Sequence, residues 1–518
     1  MADADESLKT LAKGTSILFI GTVLSKAMMY LYRILVARYL GPADYGLLNL
    51  GLAVFWISVT FSNLGIGGGI QRRVTHYLGR GEEEKIPAVL RSSLALSLPW
   101  SLVVSAAVFL GADMIAVHGF QDPATASLIR VFALAVPFQI LYKNGANLVK
   151  AYRRMEYITY ADKILRSLTT LLVTAALLYL GYGVMGAVIA QLAAVLLASV
   201  LILYFAEFRI HPFLRGKVPT SETSWLFHYS WPLFLSGIIG LAMSWTDTVL
   251  LGFFDTTSSV GVYNAAYPTA QLLFVIPNNL STVLFPSVSE MYSREEKDKA
   301  LSIASTGLKW IFAAVFPGLI LMAVFGAPLL RLLFGSSYVA GSAALAFLGT
   351  AYFIRGMTAH AGSFIKSEEW TRLATLNSLG AAALNIVLNV VLIPRYSTAG
   401  AGLATAISLT LVSVAAVLEV RYLFDVNPYR FRSYVPPFAA TIVSAAITYS
   451  VLHAVFDTVP PLALIPAFMV FAALYAALFI AFGGIGDEDL EVLRALDERT
   501  DADLEPLKKV FRKLRNLF

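Results

Sequence analysis

The chain has 518 residues, of which 58% are hydrophobic and only 14% charged, and it contains no cysteine. Soluble globular chains carry about 25% charged residues; this one, with a mean hydropathy of +0.70, is composed for lipid. The composition excludes a disulfide framework, a thiolate nucleophile and a Cys-ligated metal. The net charge of +6 is informative through where the basic residues sit, and is not a nucleic-acid signal.

A helical span needs about 20 mostly apolar residues. In chain order, such runs are predicted at 16–36, 45–71, 92–112, 126–149, 158–180, 184–206, 225–253, 260–289, 302–325, 341–365, 371–393, 400–422, 434–455 and 461–483, about fourteen helices. The fold class expected is all-α: a polytopic membrane protein. No connection is long enough to hold a soluble domain. The tail at 1–13 starts acidic, and the run after it is too long for a signal-peptide core, so no cleavable signal is expected.

Basic residues crowd the even-numbered connections: Arg72, Arg73, Arg80, Lys85 and Arg91, then Lys150, Arg153, Arg154, Lys163 and Arg166, then Arg209, Arg215 and Lys217. The pattern continues through Lys297, Lys309, Lys366, Arg372, Arg421 and Arg430. Odd-numbered connections hold little beyond Arg38, Arg130, Arg331 and Arg395. This asymmetry predicts a cytoplasmic-membrane protein with both termini in the cytoplasm. The segment 487–518 reads as a basic amphipathic helix on the inner leaflet, or as a solvated tail.

Weak internal matches recur at a nearly constant offset. Gly46 and Asn49 of "YGLLNLGLA" map onto Gly261 and Asn264 of "VGVYNAAYP"; "GAVIAQ" at Gly186 maps onto "GAGLAT" at Gly400; Glu207 and Arg209 map onto Glu419 and Arg421. Six spans per copy is an even number, so the copies run parallel, related by an axis along the membrane normal. The expected organisation is a tail at 1–13, a six-helix bundle at 14–208, a cytoplasmic linker at 209–224, a second bundle at 225–423, two extra helices at 434–483 and the tail at 487–518. A central cavity between the bundles is expected to hold the substrate.

Four cations fall inside spans: Lys26, Arg33, Lys143 and Arg355. Placed near the bilayer centre they would together cost on the order of 10 kcal/mol, so such residues face a watery interior and bind something. Lys26 lies roughly 15 Å into span one and Arg33 roughly 26 Å, near the far interface. Arg33 reads as a cavity residue, a partner for Asp247 or an outward-snorkelling anchor; Lys143 has the same alternative inward. Asp247, the most embedded carboxylate, reads as a gating partner, a protonatable coupling site or an outer-interface residue capped by water. Asn144, Asn385 and Asn389 are candidates for lining the cavity, against interhelical hydrogen bonding as the default. Pro268, Pro277 and Pro286 read as kinks, static or bending. Gly65, Gly67, Gly68 and Gly69 lack the strand–turn–helix context of a phosphate loop and read as close packing or a hinge. The six histidines form no metal motif. No catalytic residue, metal or cofactor is expected.

The stretch "KGTSILFIGTVLSKAMMYLYRILVARYLGPADYGLLNL", the Gly-rich exit "NLGIGGGIQRRVTHYLGRGEEEK" and "VLFPSVSEMYSREEKDKA" resemble the polysaccharide-transporter, or oligosaccharide flippase, family of the multidrug/oligosaccharidyl-lipid/polysaccharide superfamily. More distantly, Ser25-Lys26 and Ala37-Arg38 with Gly41 are similar to the first span of lipid II flippases, which puts Lys26 at the position of a cavity arginine. The likeness fails at Tyr32 and Arg33, where that family has Arg and Asp. The resemblance implies alternating access and a polyprenyl-(di)phosphate-linked oligosaccharide or related anionic glycan lipid as substrate. Its phosphate would be held by Lys26 and Arg355 with Lys143 and Arg33. Membrane lipids and glycan-assembly enzymes are the implied partners. The rival readings are a multidrug/cation antiporter of the same superfamily and, further off, a membrane glycan polymerase or glycosyltransferase.

Overall fold

A computed structural model describes residues 2–213, 221–281, 296–361, 370–424, 427–456 and 459–486, with isolated positions at 288, 291, 294 and 489. Among these residues the chain is helical and forms no strand. Ten segments are long and apolar enough to cross a membrane. The chain divides into two compact units, residues 1–261 and 262–518.

The first unit opens with α1 (Ala2–Asn63), 62 residues long. Its apolar part is about twice what a bilayer requires, and it breaks where the sequence dictates. Gly41 takes φ +78° and ψ 174°, a conformation open to glycine, and Pro42 then supplies no amide to continue the ladder. α2 (Ile66–Arg80) follows a second left-handed glycine, Gly65. A Cβ on Gly65 would lie 2.3 Å from the Ser230 carbonyl oxygen. The Gly-rich exit is thus close packing, of backbone on backbone at Gly65 and against the side chains of Asn147, Leu233 and Ser230 at Gly67, Gly68 and Gly69.

α3 (Ile86–Leu110) is built inside out. It buries Ser93, Ser97, Ser101 and Ser105, one per turn, and exposes Trp100, Leu102, Val103 and Leu110. In a lipid-facing bundle the small hydroxyl residues go to helix contacts, where backbones approach and hydrogen bonds form. Its neighbour is α4 (Thr125–Ala151): Asn144 donates to the Ser97 hydroxyl at 2.8 Å, and Ser105 to the Ala133 carbonyl at 2.7 Å. A π-helical segment, Thr159–Arg166, runs into α5 (Ser167–Tyr179), followed by α6 (Gly183–Phe205) and α7 (Thr223–Phe254). α8 (Thr257–Gln271) starts in this unit and carries Pro268; a 3₁₀ turn at Leu272–Phe274 follows.

The second unit contains α9 (Lys297–Val324), α10 (Ser342–Met357), α11 (Thr371–Phe424), α12 (Val435–Val455) and α13 (Leu464–Ala481). α11 has 54 residues and turns at Ser397, φ 52° and ψ −130°. Its two arms are tied by Asn377 donating to Glu419 at 2.7 Å and Asn385 donating to the Thr405 hydroxyl at 3.0 Å. Elsewhere in the unit, the buried Asp489 carboxylate accepts from Lys309 at 2.5 Å, the Trp310 ring nitrogen at 2.9 Å and the Gly486 amide at 2.6 Å. Pro277 lies under Gly356, where a Cβ would be 2.8 Å from its ring. Pro286 and, apart from Asp489, the tail expected at 487–518 lie outside the described residues.

Candidate functional site

The first unit contains a partly open cavity of about 340 Å³. Ser25, Met29, Tyr32 and Arg33 reach it from the first arm of α1, and Tyr45, Asn49 and Trp56 from the second. The π-helical segment contributes Asp162 and Arg166, α6 contributes Gln191, and α7 contributes Trp245. The wall therefore carries two guanidinium groups and one carboxylate.

Hydrogen bonds fix the frame. The Ser25 and Ser167 hydroxyls meet at 2.8 Å, joining α1 to α5. Gln191 donates to the Tyr32 hydroxyl at 3.4 Å, joining α6 to α1. Asp162 is shared between Lys163, at 2.8 Å, and Arg166, at 3.4 Å. Two cations on one carboxylate leave a surplus of positive charge. Arg166 also lies 6.0 Å from the centre of the Trp56 ring, close enough for a cation–π contact. Arg33 is half-buried, and among the described residues it makes no ion pair. A half-buried guanidinium without a carboxylate partner is chemically suited to an oxyanion, since its fork matches carboxylate and phosphate bidentately.

Of the four cations picked from the sequence, Arg33 alone lines this cavity. Lys26 is exposed, next to the bonded Ser25. Lys143 is half-buried on α4. Arg355, in the second unit, is exposed on α10 and lies over the Phe274 ring at 4.9 Å. Asp247 is buried on α7, two residues after the cavity-lining Trp245. Asn144, Asn385 and Asn389 are buried and engaged, the first with Ser97, the second with Thr405 and the third with the Asn385 carbonyl at 2.9 Å.

Sequence reasoning missed Arg166 as a cavity residue. It was counted among the loop cations, yet Asp162, Lys163 and Arg166 all fall within the predicted span 158–180. A carboxylate and two cations inside a span, rather than beside it, were the available signal.

The sequence pattern of polysaccharide biosynthesis proteins matches residues 11–292, and the MatE pattern matches residues 232–391. The chain is 25% identical over 426 residues to the "Probable low-salt glycan biosynthesis flippase Agl15" of Haloferax volcanii, covering 82% of this chain and 85% of that one. Its fold resembles the solved structure titled "Lipid II flippase MurJ, inward closed conformation", with a TM-score of 0.70 at 14% identity over 90% of this chain and 98% of the other. An inward-facing multidrug resistance MATE family transporter of the MOP superfamily gives 0.63 at 17% identity, over 80% and 98%. The kinked first helix, the Gly-rich exit and the cavity-lining part of α1 through α7 all fall within the matched residues 11–292, and with more than half its length so matched the chain belongs to the polysaccharide biosynthesis protein family.

Proposed function

We propose that this protein is a flippase for a polyprenyl-(di)phosphate-linked oligosaccharide or a related anionic glycan lipid, moved across the cytoplasmic membrane by alternating access. The observation that carries this is the cavity with Arg33 and Arg166 in its wall and a single carboxylate, Asp162, which is already paired with Arg166 and Lys163. A partly enclosed positive site suits a phosphate or acidic sugar and disfavours a cationic drug, because like charges held close together out of bulk water repel. The similarity to Agl15, a probable glycan biosynthesis flippase, and to the fold of the lipid II flippase MurJ supports the same direction.

Lys26, Lys143 and Arg355 are proposed as further phosphate contacts along the path, and Asp247 as the gating or coupling carboxylate. Asn144, Asn385 and Asn389 are proposed to shape the cavity walls by holding neighbouring helices in register. Fourteen spans are proposed. Splitting α1 at Gly41 and α11 at Ser397 turns the ten long segments into twelve, and the helical stretches 155–179 and 257–281 supply two more. The two parallel repeats at 14–208 and 225–423, the cytoplasmic termini and an association with glycan-assembly enzymes belong to the same reading.

The test is replacement of Arg33 and Arg166 by Gln, singly and together, in a cell that depends on this protein. Loss of glycan export at normal protein levels is expected. A second reading, a cation antiporter, is favoured by the MatE match at 232–391. Efflux of a cationic dye, abolished by Asp247→Asn and untouched by Arg33→Gln, would establish it instead.

A further inference from the structure

Outside the cavity, α2 and the start of α7 frame an open groove of about 480 Å³. Its wall holds Gln71, Arg72, Thr75 and His76 from α2 and Trp225 and Tyr229 from α7, with Gly68 among its lining residues. This size falls within the range of small-molecule sites, and it would accommodate one or two sugar rings.

The groove rests on a buried polar support. Arg73 donates to Glu222 at 2.9 and 3.3 Å, the Tyr77 hydroxyl donates to the same carboxylate, and the Glu222 amide donates to the Ser92 hydroxyl at 3.0 Å. The Arg73 guanidinium lies over the Trp225 ring at 4.6 Å and over Tyr77 at 4.9 Å. Trp225 is therefore held from one side and stacks on Tyr229 at 4.9 Å with an interplanar angle of 7°. Two nearly parallel rings locked in this way form a pre-organised aromatic shelf.

Arg73 is fully used by this support; Arg72 is not. Arg72 is exposed, lies 5.9 Å from the Tyr229 ring and, among the described residues, has no ion pair. Gln71, Thr75 and His76 are exposed on the same helix. Arg72 supplies a fork for an oxyanion, the neighbours supply hydrogen bonds for hydroxyls, and the shelf supplies an apolar face. Neither inorganic phosphate nor a neutral sugar uses all three.

From this juxtaposition we infer that the groove is a docking site for a sugar phosphate moiety, the head group of the lipid-linked glycan before it reaches the cavity. The loop charges assign this end of α2 to the cytoplasmic side, so the inference rests on the proposed function. The experiment uses the full chain in nanodiscs of zwitterionic lipid, titrated with glucose 1-phosphate, inorganic phosphate and glucose and followed by ligand-observed NMR. Glucose 1-phosphate should bind more tightly than either fragment, and Arg72→Ala should weaken it by about tenfold, the loss of one charge-assisted contact. Gln71→Ala, at an exposed position whose backbone carbonyl, not its side chain, accepts from the Thr75 hydroxyl, should weaken it by less with no change in melting temperature. Equal binding to Arg72→Ala, or phosphate alone binding as tightly as the sugar phosphate, overturns the inference. Displacement by anionic nanodisc lipid also overturns it and makes bulk lipid the occupant. Glycan-lipid transport without sugar-phosphate binding would remove the docking site and leave the function standing. Binding without transport would do the reverse.

Discussion

Gly46 and Gly261 meet reciprocally. A Cβ on Gly46 would lie 1.7 Å from the Thr257 carbonyl oxygen, and one on Gly261 would lie 1.9 Å from the Pro42 carbonyl oxygen. Thr257 precedes Gly261 by the same step as Pro42 precedes Gly46, so the contact is one contact seen from both sides. These are also the glycines that the internal repeat pairs in sequence. Backbone touches backbone at this crossing, and no side chain can yield to make room.

A methyl group at either position should therefore be costly. Gly46→Ala is expected to lower stability by about 3 kcal/mol, the upper part of the range for overpacking. Gly79→Ala, where nothing lies within 4 Å of the added atom, should be neutral or slightly stabilising, because it removes a helix-interior glycine. Thermal melting of the two variants in detergent checks the pair. Equal melting temperatures would show that the crossing relaxes.

In the second unit, the carboxylate of Asp489 is wholly buried and holds Lys309. Removing one partner of a buried pair strands the other charge, at a cost of about 3–5 kcal/mol. Asp489→Ala should lower the melting temperature sharply. Asp489→Ala with Lys309→Met should recover much of the loss, since the stranded ammonium is gone. A double variant as unstable as the single one would contradict this account.

The α2–α7 junction should be sensitive to alkali. Burial, together with the hydrogen bond to Glu222, pushes the Tyr77 hydroxyl up to about 12 from its ordinary value of 10.0. The folded state thus holds this proton more tightly than the unfolded state does. Its contribution to stability is complete below pH 10 and is lost as pH rises from about 10 to about 12. Tyr77→Phe should flatten stability across that window. An unchanged slope in the variant would place the dependence elsewhere.

Much of the helical fold was legible in the sequence because apolar run length follows directly from the bilayer. The break at Gly41-Pro42 is written in two residues whose backbone preferences admit little else. The turn at Ser397 falls in the gap between the predicted spans 371–393 and 400–422, but the residue that turns is not written there: serine has no preference for φ 52°, and Pro394 lies three residues earlier. The cavity was harder to read. Arg33 stands out as a charge within a span, whereas Arg166, inside the predicted span 158–180, reads with the loop cations despite its i, i+4 spacing from Asp162. The Glu222–Arg73–Tyr77 cluster joins residues nearly 150 positions apart, a relationship that no local pattern announces.

The central claim is that Arg33 and Arg166 bind the anionic head group of a glycan lipid during its passage. The most direct test is translocation of a fluorescent polyprenyl-diphosphate sugar in proteoliposomes containing the purified protein. Wild type should move the lipid between leaflets, and Arg33→Gln with Arg166→Gln should reduce the rate by about a hundredfold, the loss of two charge-assisted contacts. Arg33→Lys with Arg166→Lys, which keeps the charge without the fork, should fall between them. Translocation by the double Gln variant at the wild-type rate, with the protein folded and correctly inserted, would contradict the account.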